Sequence, residues 1–145
     1  MIRTWIAAGI VILAASTVVA QSDPIAQRKA LMKAQGAATK DVGAMLKGAP
    51  FDLAKVQDAL KVYVNTTKTF ATLFPDNSKT GGETAALPKI WEAKADFDKQ
   101  LEKFGKDSIA AMTSITDEAS FKANMGGVLK NCGECHELYR AKPAQ

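Results

Sequence analysis

The sequence predicts an all-α protein, an antiparallel four-helix bundle, and three observations predict it. The 145-residue chain is one domain's worth of sequence, 47% hydrophobic and 23% charged, with no biased tract that would mark disorder. Val and Ile are scarce beyond the first twenty residues while Ala and Lys abound, which disfavours sheets and favours helices. Beyond that leader, apolar residues recur at three- and four-residue steps in four segments, separated by two tight turns and one long connection.

Residues 1–20 are set apart as an export signal. Arg3 provides a basic start, Ile6 to Ala15 an apolar stretch, and Val18-Val19-Ala20 the short side chains a signal peptidase reads. The uncharged run from Thr4 to Ala20 is shorter than the roughly 20 residues of a membrane-spanning helix, so an uncleaved anchor is the competing reading. Cleavage leaves residues 21–145 as the mature domain, expected in the periplasm without stable membrane insertion. The whole chain carries a net charge of +4, with lysines and carboxylates interspersed. That balance is too weak and too even for a nucleic-acid binder.

The first helix opens at Asp23-Pro24, a capping aspartate before proline at the first helical position, and runs through Ile25, Arg28, Met32, Gln35, Thr39, Val42 and Leu46 to Gly48. Pro50-Phe51-Asp52 restarts the chain. Val56, Leu60, Tyr63, Thr67, Phe70 and Phe74 then mark a second helix that Pro75 stops, antiparallel to the first. The stretch from Pro75 to Leu87, with Asp76-Asn77-Ser78 and Gly81-Gly82, reads as a loop long enough to cross one end of a bundle. Pro88 opens a third helix whose apolar face carries Trp91, Phe97, Leu101, Phe104, Ile109 and Met112, with Gly105 as an interior weak point. Thr116-Asp117-Glu118 caps a fourth, which runs through Phe121, Met125, Val128, Leu129 and Cys132 to Leu138 and Tyr139. Arg140 follows where a cation suits the helix dipole.

The chemistry sits in Cys132-Gly133-Glu134-Cys135-His136, the attachment sequence for a c-type haem, in which each thiol adds to a vinyl group and the imidazole binds iron. At about 100° per residue the three side chains project from one arc of roughly 100° on a helix. A structural zinc site normally takes four ligands, and the chain offers two Cys and one His. A redox dithiol normally follows a strand in a βαβ unit, which is absent here, and a disulfide leaves the position of His136 to coincidence. The expected cofactor is one covalent haem c. Export agrees, since covalent haem attachment belongs outside the cytoplasm.

A haem site near the end of four long helices resembles the class II c-type cytochromes, the cytochrome c-prime family. Arg28-Lys29-Ala30-Leu31-Met32-Lys33, Pro50-Phe51-Asp52, Pro88-Lys89-Ile90-Trp91 and the stretch from Cys132 to Arg140 carry the resemblance. It implies a left-twisted bundle in the periplasm with haem between the helices and His136 as proximal ligand. It also implies that Met32 stands over the distal face, where the low-spin branch of the family has a methionine ligand and high-spin members often have a bulky side chain that blocks the iron. The stretch ending Lys-Ala-Leu-Met-Lys looks like the low-spin branch. By the same resemblance Arg28 is a candidate partner of a haem propionate and Arg140 a neighbour of the proximal side. Trp91 is a candidate pocket wall.

With one His, two imidazoles cannot hold the iron within one chain, so the sixth position falls to methionine, lysine, an added small molecule or nothing. A soft, uncharged thioether favours ferrous iron and raises the reduction potential. The expected function is one-electron carriage by a six-coordinate His136/Met32 haem, not enzymatic catalysis, with other redox proteins as donor and acceptor and the chain a monomer or homodimer. The alternative is a five-coordinate haem that binds nitric oxide or carbon monoxide. A peroxidase-like enzyme lacks the distal His that would move protons.

Overall fold

The computed structural model describes residues 23–142; the export signal expected over residues 1–20 lies outside the described residues. The chain runs α1 (Pro24–Leu46), α2 (Leu53–Phe70), a 3-10 turn (Asp76–Ser78), α3 (Lys89–Glu92), α4 (Lys94–Ser114) and α5 (Glu118–Tyr139). Aspartates start three of the long helices by accepting free N–H groups of the first turn. Asp23 Oδ1 accepts from Ile25 N at 3.0 Å, Asp52 Oδ1 from Lys55 N at 3.1 Å, and Asp117 Oδ1 from Ser120 N at 2.8 Å. Ser120 Oγ accepts in turn from Asp117 N at 3.0 Å, closing a reciprocal cap.

Side-chain contacts give the directions of the helices. Arg28 reaches the Leu73 carbonyl just past α2, and Thr39 meets Tyr63 inside it, so α1 and α2 are antiparallel. Rings of Tyr63 and Phe104 lie 5.5 Å apart and those of Phe70 and Phe97 6.4 Å, so α4 reverses α2. Lys103 meets Asn131 and Phe97 meets Tyr139, so α5 reverses α4. The result is the expected antiparallel four-helix bundle, with α1 on α2, α2 on α4 and α4 on α5. Contact between α1 and α5 is far sparser, and the cavity described below opens there.

The apolar faces form two clusters. One, toward the α1–α2 and α4–α5 turns, contains Val42, Leu60, Tyr63, Phe104, Phe121 and Met125. The other contains Phe70, Phe74, Ile90, Phe97, Leu101 and Tyr139, with edge-to-face rings 4.9 to 5.1 Å apart at Phe70–Phe74, Phe74–Phe97 and Phe97–Tyr139. The connection between α2 and α3 stays at this second end. There Ala86 forms an antiparallel bridge with Arg140, and Leu87 N donates to the Tyr139 carbonyl at 3.0 Å, tying the loop to the end of α5. Gly81 and Gly82 take φ of 88° and 53°, a left-handed turn that glycine makes without steric cost.

Four local expectations are corrected. Helix α2 ends at Phe70 rather than Phe74, its last turn giving way to tighter bonds from Thr72 N to Thr69 O and Leu73 N to Phe70 O ahead of Pro75. The third expected helix is two, broken at Ala93 (φ −124°, ψ 47°), where no Gly or Pro stands. Ile109 is 53% exposed, one position past the buried stripe of Phe97, Leu101, Phe104, Ser108 and Ala111. Gly105 is a packing position and not a weak point, because a Cβ there would lie 3.0 Å from Thr67 Oγ1 on α2.

Candidate haem cavity

A cavity of about 1030 Å³ opens between the walls formed by α1, α2, α4 and α5. It stands at the top of the usual range for small-molecule sites, about 300–1,000 Å³. Cys132, Cys135 and His136 line it from α5, and Met32 lines it from α1. Cys132 packs against the first apolar cluster, while Cys135 and Met32 pack against the second. The attachment sequence therefore meets a space large enough for a haem, with two thiols, an imidazole and a thioether on its walls. This donor set fits the group.

Burial raises both thiols, Cys135 to about 11 with a further push from Cys132, so they stay uncharged in an apolar wall. Burial first and Arg140 second hold His136 below its ordinary pKa, which favours the neutral imidazole that a metal needs. Among the four methionines of the described residues only Met32 reaches the cavity. Met45 is buried with its sulfur accepting Asp52 N at 3.3 Å, Met125 is fully buried in the first cluster, and Met112 packs on its flank.

The other expected site residues divide. Arg28 lines the cavity but is 5% exposed, and its terminal nitrogens are engaged elsewhere. Nη1 donates to Leu73 O and Ser78 Oγ, both at 3.1 Å, and Nη2 to Ser78 O at 3.0 Å and Thr84 Oγ1 at 3.2 Å. The guanidinium also lies over the Phe74 ring at 4.6 Å. Its main occupation is to hold the crossing loop. Trp91 stands behind the wall and not in it: its Nε1 donates to Phe74 O at 2.9 Å and its ring meets Phe74 edge-on, so it braces a ring that does line the cavity. Arg140 is exposed at the cavity's rim, its N–H donating to the His136 carbonyl at 3.2 Å.

Three cavity residues went unassigned in the sequence. Gln35, Thr66 and Asn131 are buried polar side chains on its walls, and a polar residue on an apolar stripe was the available signal. Asn131 precedes Cys132 and is fully satisfied: Oδ1 accepts from Lys103 at 2.8 Å, while Nδ2 donates to Asp107 at 2.8 Å and Val128 O at 3.1 Å. Hydrogen bonds from Lys103 and Asn131 hold the Asp107 carboxyl below its usual range. Its folded pKa is depressed, so this contribution is present above about pH 4 and lost as pH falls through the folded value. The stability difference between the parent and Asp107→Asn is expected to shrink in urea titrations below about pH 4. Because Asp107 and Lys103 are partly solvated, the loss should be under about 1 kcal/mol.

Comparison with known proteins identifies the family. The family model Cytochrome C' matches residues 23–140. Over 136 residues the chain is 55% identical to a cytochrome c' of Rhodopseudomonas palustris, covering 93% of each chain. It is 40% identical over 147 residues to a cytochrome c-556 of the same organism, covering 98% of this chain and 99% of that one. A solved structure of cytochrome c' from Rhodopseudomonas palustris superposes with a TM-score of 0.83 at 55% identity, over 86% of this chain and all of the other. Members of this family carry covalently attached haem c, and the attachment sequence here opens onto a cavity sized for it. A helical bundle, that sequence and these likenesses together place the chain in the cytochrome c' family of class II c-type cytochromes.

Proposed function

We propose that this chain is a periplasmic one-electron carrier whose haem is anchored by Cys132 and Cys135 and held axially by His136 and Met32. The observation that carries this reading is the placement of Met32, the one methionine of the described residues on the cavity wall, on α1 and so on a different wall from His136 of α5. When bound, the haem supplies a ferric–ferrous couple that takes up and releases one electron. The chain's own groups set the terms of that exchange. A thioether from Met32 is soft and neutral and favours the reduced state, raising the potential. His136, neutral in its half-buried place, is ready to bind without first losing a proton. Phe70, Phe74, Phe97 and Phe104 keep water from the interior, and helical walls on both sides limit rearrangement between oxidation states.

Partners follow from the cavity mouth. Lys33, Lys40 and Lys47 lie along the α1 side of the opening, exposed and without ion-pair partners among the described residues, and suit an acidic redox protein. No helix of the described residues is long and apolar enough to cross a membrane, and the basic, apolar start of the chain supports export to the periplasm. The second reading, a five-coordinate haem that binds nitric oxide or carbon monoxide, draws support from the higher identity to the cytochrome c' than to the cytochrome c-556. Optical spectra of the purified protein separate the two. A low-spin ferric spectrum, and a ferrous spectrum that carbon monoxide barely alters, are the expected results. A high-spin ferric spectrum at neutral pH with ready carbon monoxide uptake would overturn the His136/Met32 carrier.

A further inference from the structure

The helices that carry Met32 and His136, α1 and α5, touch only sparsely, with the cavity between them. The end of the crossing loop, residues 84–87, spans from one to the other. On the α1 side the loop is seated at Gly82, where a Cβ would lie 3.1 Å from Ile25 Cγ2, and Arg28 Nη2 donates to Thr84 Oγ1 at 3.2 Å. On the α5 side Ala86 forms its antiparallel bridge with Arg140, Leu87 N donates to Tyr139 O at 3.0 Å, and Ala141 N donates to Ala85 O at 2.8 Å. Thr84 closes the span, because the same Oγ1 also accepts from Ala86 N at 3.2 Å. Its side chain thus receives one bond from the α1 anchor and one from the residue bridged to α5.

Each anchor sits one turn from a candidate iron ligand. Arg28 is four residues before Met32 on α1, and Arg140 is four residues after His136 at the end of α5. The hydrogen-bond ladder makes one helical turn a stiff unit, so the separation of the two anchors sets that of Met32 and His136. Thr84, Ala85 and Ala86 themselves line the cavity, between the walls that they join.

We propose that residues 84–87 are a strap that fixes the separation of the α1 and α5 walls, with Thr84 as the positioning residue that keeps Met32 on an iron bound by His136. The inference rests on the His136/Met32 reading and adds to it a residue that is neither ligand. With Met32 off the iron the two walls are free to part, and a strap bond made only while they are together disfavours that open state. Thr84→Val keeps the side chain's shape and removes its hydroxyl. Arg28 retains its bonds to Leu73 and Ser78 in that variant, so the bundle persists.

Carbon monoxide titration of the reduced, haem-loaded protein measures how often Met32 is off the iron. Thr84→Val is expected to raise the apparent affinity about three- to tenfold, the factor of one hydrogen bond. Thr84→Ser, which keeps the hydroxyl, should stay at the parent's value. In the Met32→Ala protein the Thr84→Val change should leave the affinity unmoved, because no thioether remains to be held. Gln57→Leu controls for general loosening: Gln57 Nε2 donates to Met112 O and Ile115 O, both at 3.1 Å, at the other end of the bundle, and its loss should leave carbon monoxide binding unchanged. With a low-spin ferric parent, an unmoved affinity in Thr84→Val overturns the strap. So does an equal rise in the Met32→Ala background, or an equal rise with Gln57→Leu. A high-spin ferric parent that takes up carbon monoxide freely overturns the Met32 reading itself, and the strap with it.

Discussion

Met32→Ala is expected to convert a low-spin haem protein that resists added ligands into one that binds carbon monoxide readily. If the thioether occupies the iron in about 99 of 100 molecules, removing it raises the apparent affinity about 100-fold. The reduction potential should fall as well, because the soft ligand that favours ferrous iron is gone. The fold should survive, since Met32 is only half-buried and its truncation costs about 1–2 kcal/mol. Met45→Ala is the matching control. Met45 is buried away from the cavity, so its loss should cost about 2–5 kcal/mol and leave the optical spectrum unchanged. A spectrum altered by Met45→Ala and untouched by Met32→Ala would reassign the ligand.

Arg28→Leu should produce the largest loss of stability, about 3–5 kcal/mol in denaturant titrations of the haem-loaded protein. Four hydrogen bonds join this buried guanidinium to Leu73, Ser78 and Thr84, and leucine would leave buried acceptors unpaired. Burial lowers the pKa of Arg28, and exposed Asp23 opposes that only in part, so loop carbonyls and the Phe74 face are what offset its desolvation. Amides between residues 75 and 87 should exchange with solvent faster in the variant. Arg28→Lys should recover less than half of the loss, because an ammonium cannot reproduce the planar fork. A cost below about 1 kcal/mol would mean that the contacts with the end of α5, at Tyr139, Arg140 and Ala141, hold the loop without Arg28.

The long helices were legible because their causes are local. Asp23, Asp52 and Asp117 cap their own first turns, and three- and four-residue apolar steps mark the faces whatever lies opposite. The attachment sequence was legible for the same reason, its three groups sharing one arc of one helix. Ile109 shows the limit, since a stripe drawn from spacing alone is one residue too wide at its edge. Gln35 shows another. It belongs to the α1 stripe by spacing, but only the assembled bundle makes that position a cavity wall shared with Thr66 of α2.

Arg28 and Trp91 depend on partners far along the chain. The acceptors of Arg28 lie 45 to 56 residues away, and those of the Trp91 indole 17. Nothing in their immediate neighbours selects those partners, and the break at Ala93 falls at alanine, the residue with the highest helix propensity. Helix class, antiparallel order and haem chemistry follow from short-range spacing, where each residue acts through its own turn. Which side chains wall the cavity, which brace it from behind and which are left facing into it were decided by packing. That choice is made only when surfaces distant in the chain compete for the same buried volume.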